Sequence, residues 1–211
     1  MDKVSEGMCR RQALQVLGLS AVAGAVLLRP GLAGAAATDG TPMQFMPKNA
    51  PDPAPLENEL AKYPKCPYCG MDRRQWQHSR HLIHYEDDLV DATCSLRCAS
   101  LSLALNIDRG PKAIYAADFG AEADIKPLVE VEQASYLIGS ALPGTMSRTS
   151  KVAFAAPAAA QAAAREHGGE IGDFDAALRQ AYLDQAEDAV MIRQRRAARR
   201  QRQMNGHQHG H

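Results

Sequence analysis

The sequence predicts an α+β protein: a small, mainly antiparallel sheet with helices packed on one side, and a long C-terminal helix. Two observations carry this expectation. Short runs such as "HLIHY" at 81–85 interleave β-branched and aromatic residues with polar ones, the twofold period of strands. Between and after them lie stretches with helical spacing and recognisable stops, and no internal repeat is present.

The elements follow in order. Residues 38–60 are rich in proline, lack periodicity, and read as an extended linker. "SRHLIHYEDDLVDATC" (79–94) reads as two short strands joined at Asp87–Asp88. "SLRCASLSLALN" (95–106) reads as a helix with Ser95 at its N-cap and Leu96, Ala99, Leu103 and Leu105 as apolar positions, stopped by "DRGP". "KAIYAADF" (112–119) and "LVEVEQASYLIGS" (128–140) read as two further strands, "LPGTM" (142–146) as a loop, and "SKVAFAA" (150–156) as another strand. Pro157 suits a first helical position and opens the alanine-rich "PAAAQAAAREH", which Gly168–Gly169 closes. A short "GEIGDF" then leads into a long helix from about Asp173. Aromatic residues make up only 5% of the chain, so its core must rely on aliphatic and alanine packing.

The N-terminus reads as an address and not as fold. Arg10 and Arg11 precede a charge-free apolar run from Ala13 to Leu28, and small residues follow at Ala33, Ala35 and Ala37. That is the pattern of a twin-arginine signal peptide over 1–37, with cleavage after Ala35 or Ala37 and a periplasmic destination. The run is shorter than the roughly 20 residues a bilayer span needs. The division is therefore 1–37 signal, 38–60 linker, 61–180 folded domain, and 181–211 an arginine-rich helix end with a histidine-containing tail. Formal net charge is zero, and loss of Lys3, Arg10, Arg11, Arg29, Asp2 and Glu6 with the signal leaves −2. No footprint for nucleic acid follows from that balance.

Cys9 departs with the signal, leaving Cys66, Cys69, Cys94 and Cys98. They fall as C-x2-C, a gap of 24 residues, then C-x3-C. In "CPYCG", Pro67 stiffens the turn, and Gly70 lets the backbone fold tightly enough for N–H groups to face the sulfurs. Cys94 and Cys98 are four apart, so both thiols are expected on one face of a helix's first turn, where the thiolate is favoured. Disulfides within each pair would close tiny loops and stabilise little. A redox CxxC should follow a strand and open a long helix, which "GMDRRQW" does not do. The four are thus read as metal ligands. Four thiolates alone suit a structural zinc site. Met71 and Met146 offer thioether sulfur, which suits Cu(I); Met146 is read equally as a ligand or as packing. His81 and Tyr85 share one strand face and His84 takes the other, so His78, His81 and His84 cannot all hold one ion. Most of them are expected at the surface, with room for one auxiliary ligand. No Ser-His-Asp or Cys-His nucleophile set and no paired carboxylates stand out, so no enzymatic role is read.

"CPYCGM", the strand pair ending in "CSLRC", "AIYAADF", "YLIGSALPGTM", "KVAFA" and "HGGEIGDFDAAL" together resemble the NosL family, accessory proteins of periplasmic nitrous oxide reductase, from about Pro64 to Leu178. The cysteine pattern separately resembles the TRASH/YHS class of metal-binding modules. The first resemblance implies a NosL-like domain over 61–180 that carries Cu(I) to a copper-dependent reductase or another copper carrier, with Cys66, Cys69, Met71 and Met146 matching the family pattern. The second adds Cys94 and Cys98 and keeps a structural zinc site in an exported assembly module as the alternative. Family members are usually anchored through a lipidated cysteine, and no such site stands here. Membrane contact would then come only through an uncleaved signal or the arginine-rich tail, whose His207, His209 and His211 would scavenge metal weakly.

Overall fold

The computed structural model describes residues 49–208, with side chains through Met204. The predicted signal, the first part of the linker, His209 and His211 lie outside the described residues.

A single helical turn, α1 (Glu59–Lys62), leads into the cysteine knuckle, which an isolated antiparallel bridge between Lys65 and Asp72 closes. β1 (His81–Tyr85) and β2 (Val90–Thr93) form the expected hairpin. Asp88 turns it at φ 61, a left-handed conformation that Asp tolerates better than most residues. α2 (Leu96–Leu105) follows at once. β3 (Pro111–Ala117) pairs with β1, and β4 (Leu128–Glu130) pairs with β3, giving an antiparallel sheet of order β2-β1-β3-β4.

The predicted strand over 128–140 is divided. A 3-10 turn, Val131–Gln133, separates β4 from β5 (Ser135–Ile138), and the two belong to different sheets. The cause is tertiary: Val131 buries its side chain in the main core, and the turn carries the chain from one sheet to the other. β6 (Lys151–Phe154), β5 and β7 (Glu170–Gly172) make the second antiparallel sheet, of order β6-β5-β7. β7 had read only as a lead into the helix. Its three residues become a strand because the edge of β5 offers unpaired N–H and C=O groups.

α3 (Pro157–His167) carries Pro157 at its start and closes at Gly168, φ 68, as its sequence required. It packs through Ala160, with Ala159, Ala163 and Ala164, onto Leu137, Val152 and Phe154. α4 (Phe174–Gln208) runs without a break from the domain into the arginine-rich stretch. Its first turns supply Phe174, Ala177 and Ala181 to the main core, beside Ile83, Tyr85, Leu96, Ala99 and Tyr136. Leu82, Val90 and Ala92 join Tyr63 in a second cluster. β1 therefore has apolar packing on both faces, and all five of its residues are buried. A fully buried side chain such as Leu82 or Ile83 contributes about 1.5–3 kcal/mol.

Candidate metal centre

The knuckle is built by backbone hydrogen bonds. The Cys66 N–H donates to the Met71 carbonyl and the Gly70 N–H to the Cys66 carbonyl, both at 2.9 Å. Gly70 sits at φ 76, where a side chain would be strained. Asp72 then accepts from the Arg74 and Gln75 N–H groups at 2.9 and 3.1 Å, fixing the exit. Arg73 is fully buried and pins the turn to its surroundings. Its guanidinium donates to the carbonyls of Tyr63 and Thr93 at 2.8 and 3.2 Å and pairs with Glu59 at 2.8 Å. Arg80 meets the same carboxylate at 2.7 Å, so one acid holds two buried cations.

The second pair differs from expectation in one respect. Cys94 lies at the junction of β2 and α2, outside the helix, and only Cys98 occupies the first turn. Ser79 Oγ donates to the Cys94 carbonyl at 2.9 Å and holds the junction. Ser95 takes the N-cap position without a side-chain capping bond, and its hydroxyl lies 3.8 Å from Cys94 Sγ.

These two stretches bring four thiols together. Cys69 Sγ is 3.3 Å from Cys94 Sγ, Cys94 Sγ is 3.9 Å from Cys98 Sγ, and all four sulfurs lie within 4.8 Å of one another. A tetrahedral ion with sulfur bonds of about 2.3 Å needs ligands roughly 3.8 Å apart, so the cluster fits one cation. All four cysteines are free, and neither short-loop disulfide forms. Cys66, Cys94 and Cys98 are buried, whereas Cys69 reaches the surface in part.

Charge inside the cluster is unevenly held. Cys94 and Cys98 donate to the Cys66 sulfur, and backbone N–H groups of Cys69 and Cys94 add to this, which holds the Cys66 thiol far below its usual range despite burial. The same contact to Cys66 pushes Cys94 up to about 12. It pushes Cys98 well above the thiol range, with Cys94 and burial adding to it. Without a cation, then, one thiolate is solvated by its neighbours' protons, and a second negative sulfur is costly. A soft cation reverses that balance, and its binding releases protons.

Around the sulfurs stands a polar frame that the sequence reading did not single out. Tyr68, between the knuckle cysteines, donates to Asp91 Oδ2 at 2.6 Å, and Ser102 of α2 donates to the same oxygen at 2.5 Å. Ser102 also meets the Tyr85 hydroxyl at 2.6 Å. Burial raises the Asp91 carboxyl above its ordinary range, and these donors work against the rise. An aspartate between the apolar Val90 and Ala92 of the expected second strand was the available signal.

The two methionines part company. Met71 Sδ is 4.0 Å from Cys94 Sγ and packs against the thiols beside Trp76. Met146 is 40% exposed at φ 57, and its sulfur forms no such contact among the described residues. Its loop nevertheless flanks the start of α2: Pro143, Thr145, Ser147 and Thr149 line a small crevice with Ser79, Ser95 and Arg97. Ser147 and Thr149 bond the Asp184 carboxylate of α4, as does Lys151 at 2.5 Å.

The histidines are more enclosed than expected. His81 is buried, with Nδ1 3.0 Å from the Ser79 carbonyl and Nε2 3.1 Å from the Tyr136 hydroxyl. Burial lowers it to about 4, so the ring is neutral, donating from Nδ1 and accepting at Nε2. His84 is buried as well and meets Asp88 at 2.9 Å. His78 is half-buried between Trp76 and Phe119.

Fold and site together define a small α+β protein organised around a cluster of four thiols spaced to hold one cation. The NosL family model matches residues 57–182, and the chain belongs to the NosL family. A comparison with curated protein sequences finds no match. Among solved structures, the crystal structure of the copper chaperone NosL from Shewanella denitrificans is similar at 23% identity and a TM-score of 0.45, over 53% of this chain and 87% of that one. The solution NMR structure of apo-NosL from Achromobacter cycloclastes is similar at 20% identity and a TM-score of 0.33, over 45% and 82%.

Proposed function

We propose that this protein is a periplasmic metallochaperone, exported by the twin-arginine route, that carries Cu(I) as cargo to a copper-dependent enzyme. The recipient is nitrous oxide reductase, the enzyme its family serves. The observation that carries this reading is the soft-donor cluster: four free thiols within 4.8 Å, with the Met71 thioether 4.0 Å from one of them. Thiolate and thioether together select Cu(I) over harder ions. A carrier must also release its cargo. Cys69, the one of the four cysteines that reaches the surface, gives a partner's thiol or imidazole a place to begin ligand exchange. Cys66, Cys69, Cys94, Cys98 and Met71 form the proposed holding set. Met146, on the loop beside the start of α2, is proposed as an accessory donor recruited during loading or transfer. No nucleophile or acid–base pair is assigned, and the role is that of an accessory protein and not of an enzyme.

The test is anaerobic Cu(I) titration of the metal-free protein against a chromophoric chelator, with zinc as competitor. Stoichiometric Cu(I) that excess zinc does not displace supports the carrier. Bound zinc with no Cu(I) uptake refutes it. Copper appearing in metal-free nitrous oxide reductase after mixing with the loaded protein identifies the recipient.

One observation favours a second reading. Four sulfurs at tetrahedral spacing are also what a structural zinc site needs, in an exported assembly module. Cys94→Ser with Cys98→Ser separates the two: unfolding marks a structural zinc, whereas a folded protein with weakened Cu(I) binding marks the carrier.

A further inference from the structure

We propose that the second half of α4 is a docking surface for the anionic face of a lipid bilayer, held there by Arg193, Arg195, Arg196, Arg199, Arg200 and Arg202. Up to Asp188 the helix is tied to the domain. Tyr182 donates to the Ser100 carbonyl at 3.0 Å, Gln185 to the Ser100 hydroxyl at 2.6 Å, and Asp188 pairs with Arg97 at 3.4 Å. Beyond that point the character changes. Residues 189–204 contain six arginines and neither Asp nor Glu. None of the six has an ion pair among the described residues, and all are exposed. The NosL match ends at residue 182, so this stretch lies outside the family domain, and the inference stands apart from the cargo reading.

Geometry arranges the charge. At about 100° per residue, Arg193, Arg196 and Arg200 follow one ridge of the helix, and Arg195, Arg199 and Arg202 follow the next. The six guanidiniums therefore cover about half of the circumference. The other half is neutral, with Val190, Gln194, Ala197, Gln201 and Met204. Arg193, Arg196 and Arg200 also line a shallow depression with Val190 and Ala197. Such a broad array fits phosphate groups spread over a surface, which guanidinium binds bidentately.

The alternatives fit less well. A specific protein interface is anchored by large buried side chains, usually aromatic, and residues 189–204 hold no aromatic residue. Nucleic acid would need basic surface elsewhere, and the whole chain has no net charge.

The experiment is flotation of the full chain with vesicles of phosphatidylcholine alone or with about 30% phosphatidylglycerol. Binding to the anionic vesicles should be at least about tenfold greater and should vanish at about 1 M salt, where the screening length is about 3 Å. Replacing all six arginines by glutamine should reduce binding to the level of the neutral vesicles, whereas lysine at all six should retain most of it. Whatever residues 1–37 add is common to every variant, and far-UV circular dichroism verifies that the helix persists. Equal flotation of the glutamine variant, insensitivity to salt, or no preference for anionic vesicles overturns the proposal. So does capture of the helix by an acidic polyglutamate peptide without any vesicle binding, which would assign the surface to a protein partner.

Discussion

Met71 and Met146 belong to two regions held in different ways. The knuckle carrying Met71 is fastened from inside, by its own backbone bonds and by the buried Arg73, so its thioether is delivered to the thiols in advance. The loop carrying Met146 is fastened from beside, through Ser147 and Thr149 to Asp184, and leaves its methionine in solvent. A backbone clamped around a side chain sets where that side chain points; a backbone clamped past it leaves the side chain free. The first region suits holding, and the second suits exchange.

The sharpest way to test this contrast is pH. Binding that recruits Cys94, raised to about 12, and Cys98, raised further, displaces two protons. Cu(I) affinity at the thiols should then weaken by at least about 100-fold for each unit that pH falls, measured by chelator competition between about pH 8 and 6. A thioether does not titrate, so Met71→Ala and Met146→Ala should leave that slope unchanged. A flat profile would mean that copper does not use those two sulfurs.

Next in size is Cys94→Ser. Cys94 contacts Cys69, Cys98 and Met71, and its loss should lower Cu(I) affinity at least about 100-fold. Far-UV circular dichroism of the metal-free variant should match the parent if the centre serves carriage.

The frame beneath the knuckle should rank third. Asp91→Ala or Tyr68→Phe breaks the 2.6 Å bond that ties the C-x2-C turn to β2, and a loss of about 10-fold in affinity is expected. Asp91→Ala also leaves the buried Ser102 hydroxyl short of its acceptor, which should cost about 1–3 kcal/mol, visible as a lower urea midpoint.

The smallest equilibrium effect is expected from the loop. Met71→Ala should weaken Cu(I) binding several-fold, whereas Met146→Ala should change it by less than about twofold and instead slow transfer to an acceptor chelator in stopped flow. If Met146→Ala weakens equilibrium binding as much as Met71→Ala does, the two regions are equivalent and the contrast fails.

Much of this was legible along the chain. The hairpin at 81–93, α2, the proline start and glycine stop of α3, and the α+β class all follow from period and punctuation within a few residues. The metal reading of the cysteines followed from how little a disulfide in so short a loop contributes. Other features needed partners distant in sequence. Nothing in residues 128–140 announces that Val131 will be drawn into the core and split the strand. Nothing in "GEIG" announces the open edge of β5. His81 looks like a surface residue until Tyr136, 55 positions away, closes over it.

Local patterns are short-range physics: turn geometry, period, helix stops and the softness of sulfur are properties of neighbouring residues, and sequence alone determined them. Which sulfurs stand together was decided by folding. Cys69 and Cys94 lie 25 residues apart and meet at 3.3 Å only because the knuckle packs against the β2–α2 junction. Met146 stays outside the cluster, because the groups that fix its loop belong to α4.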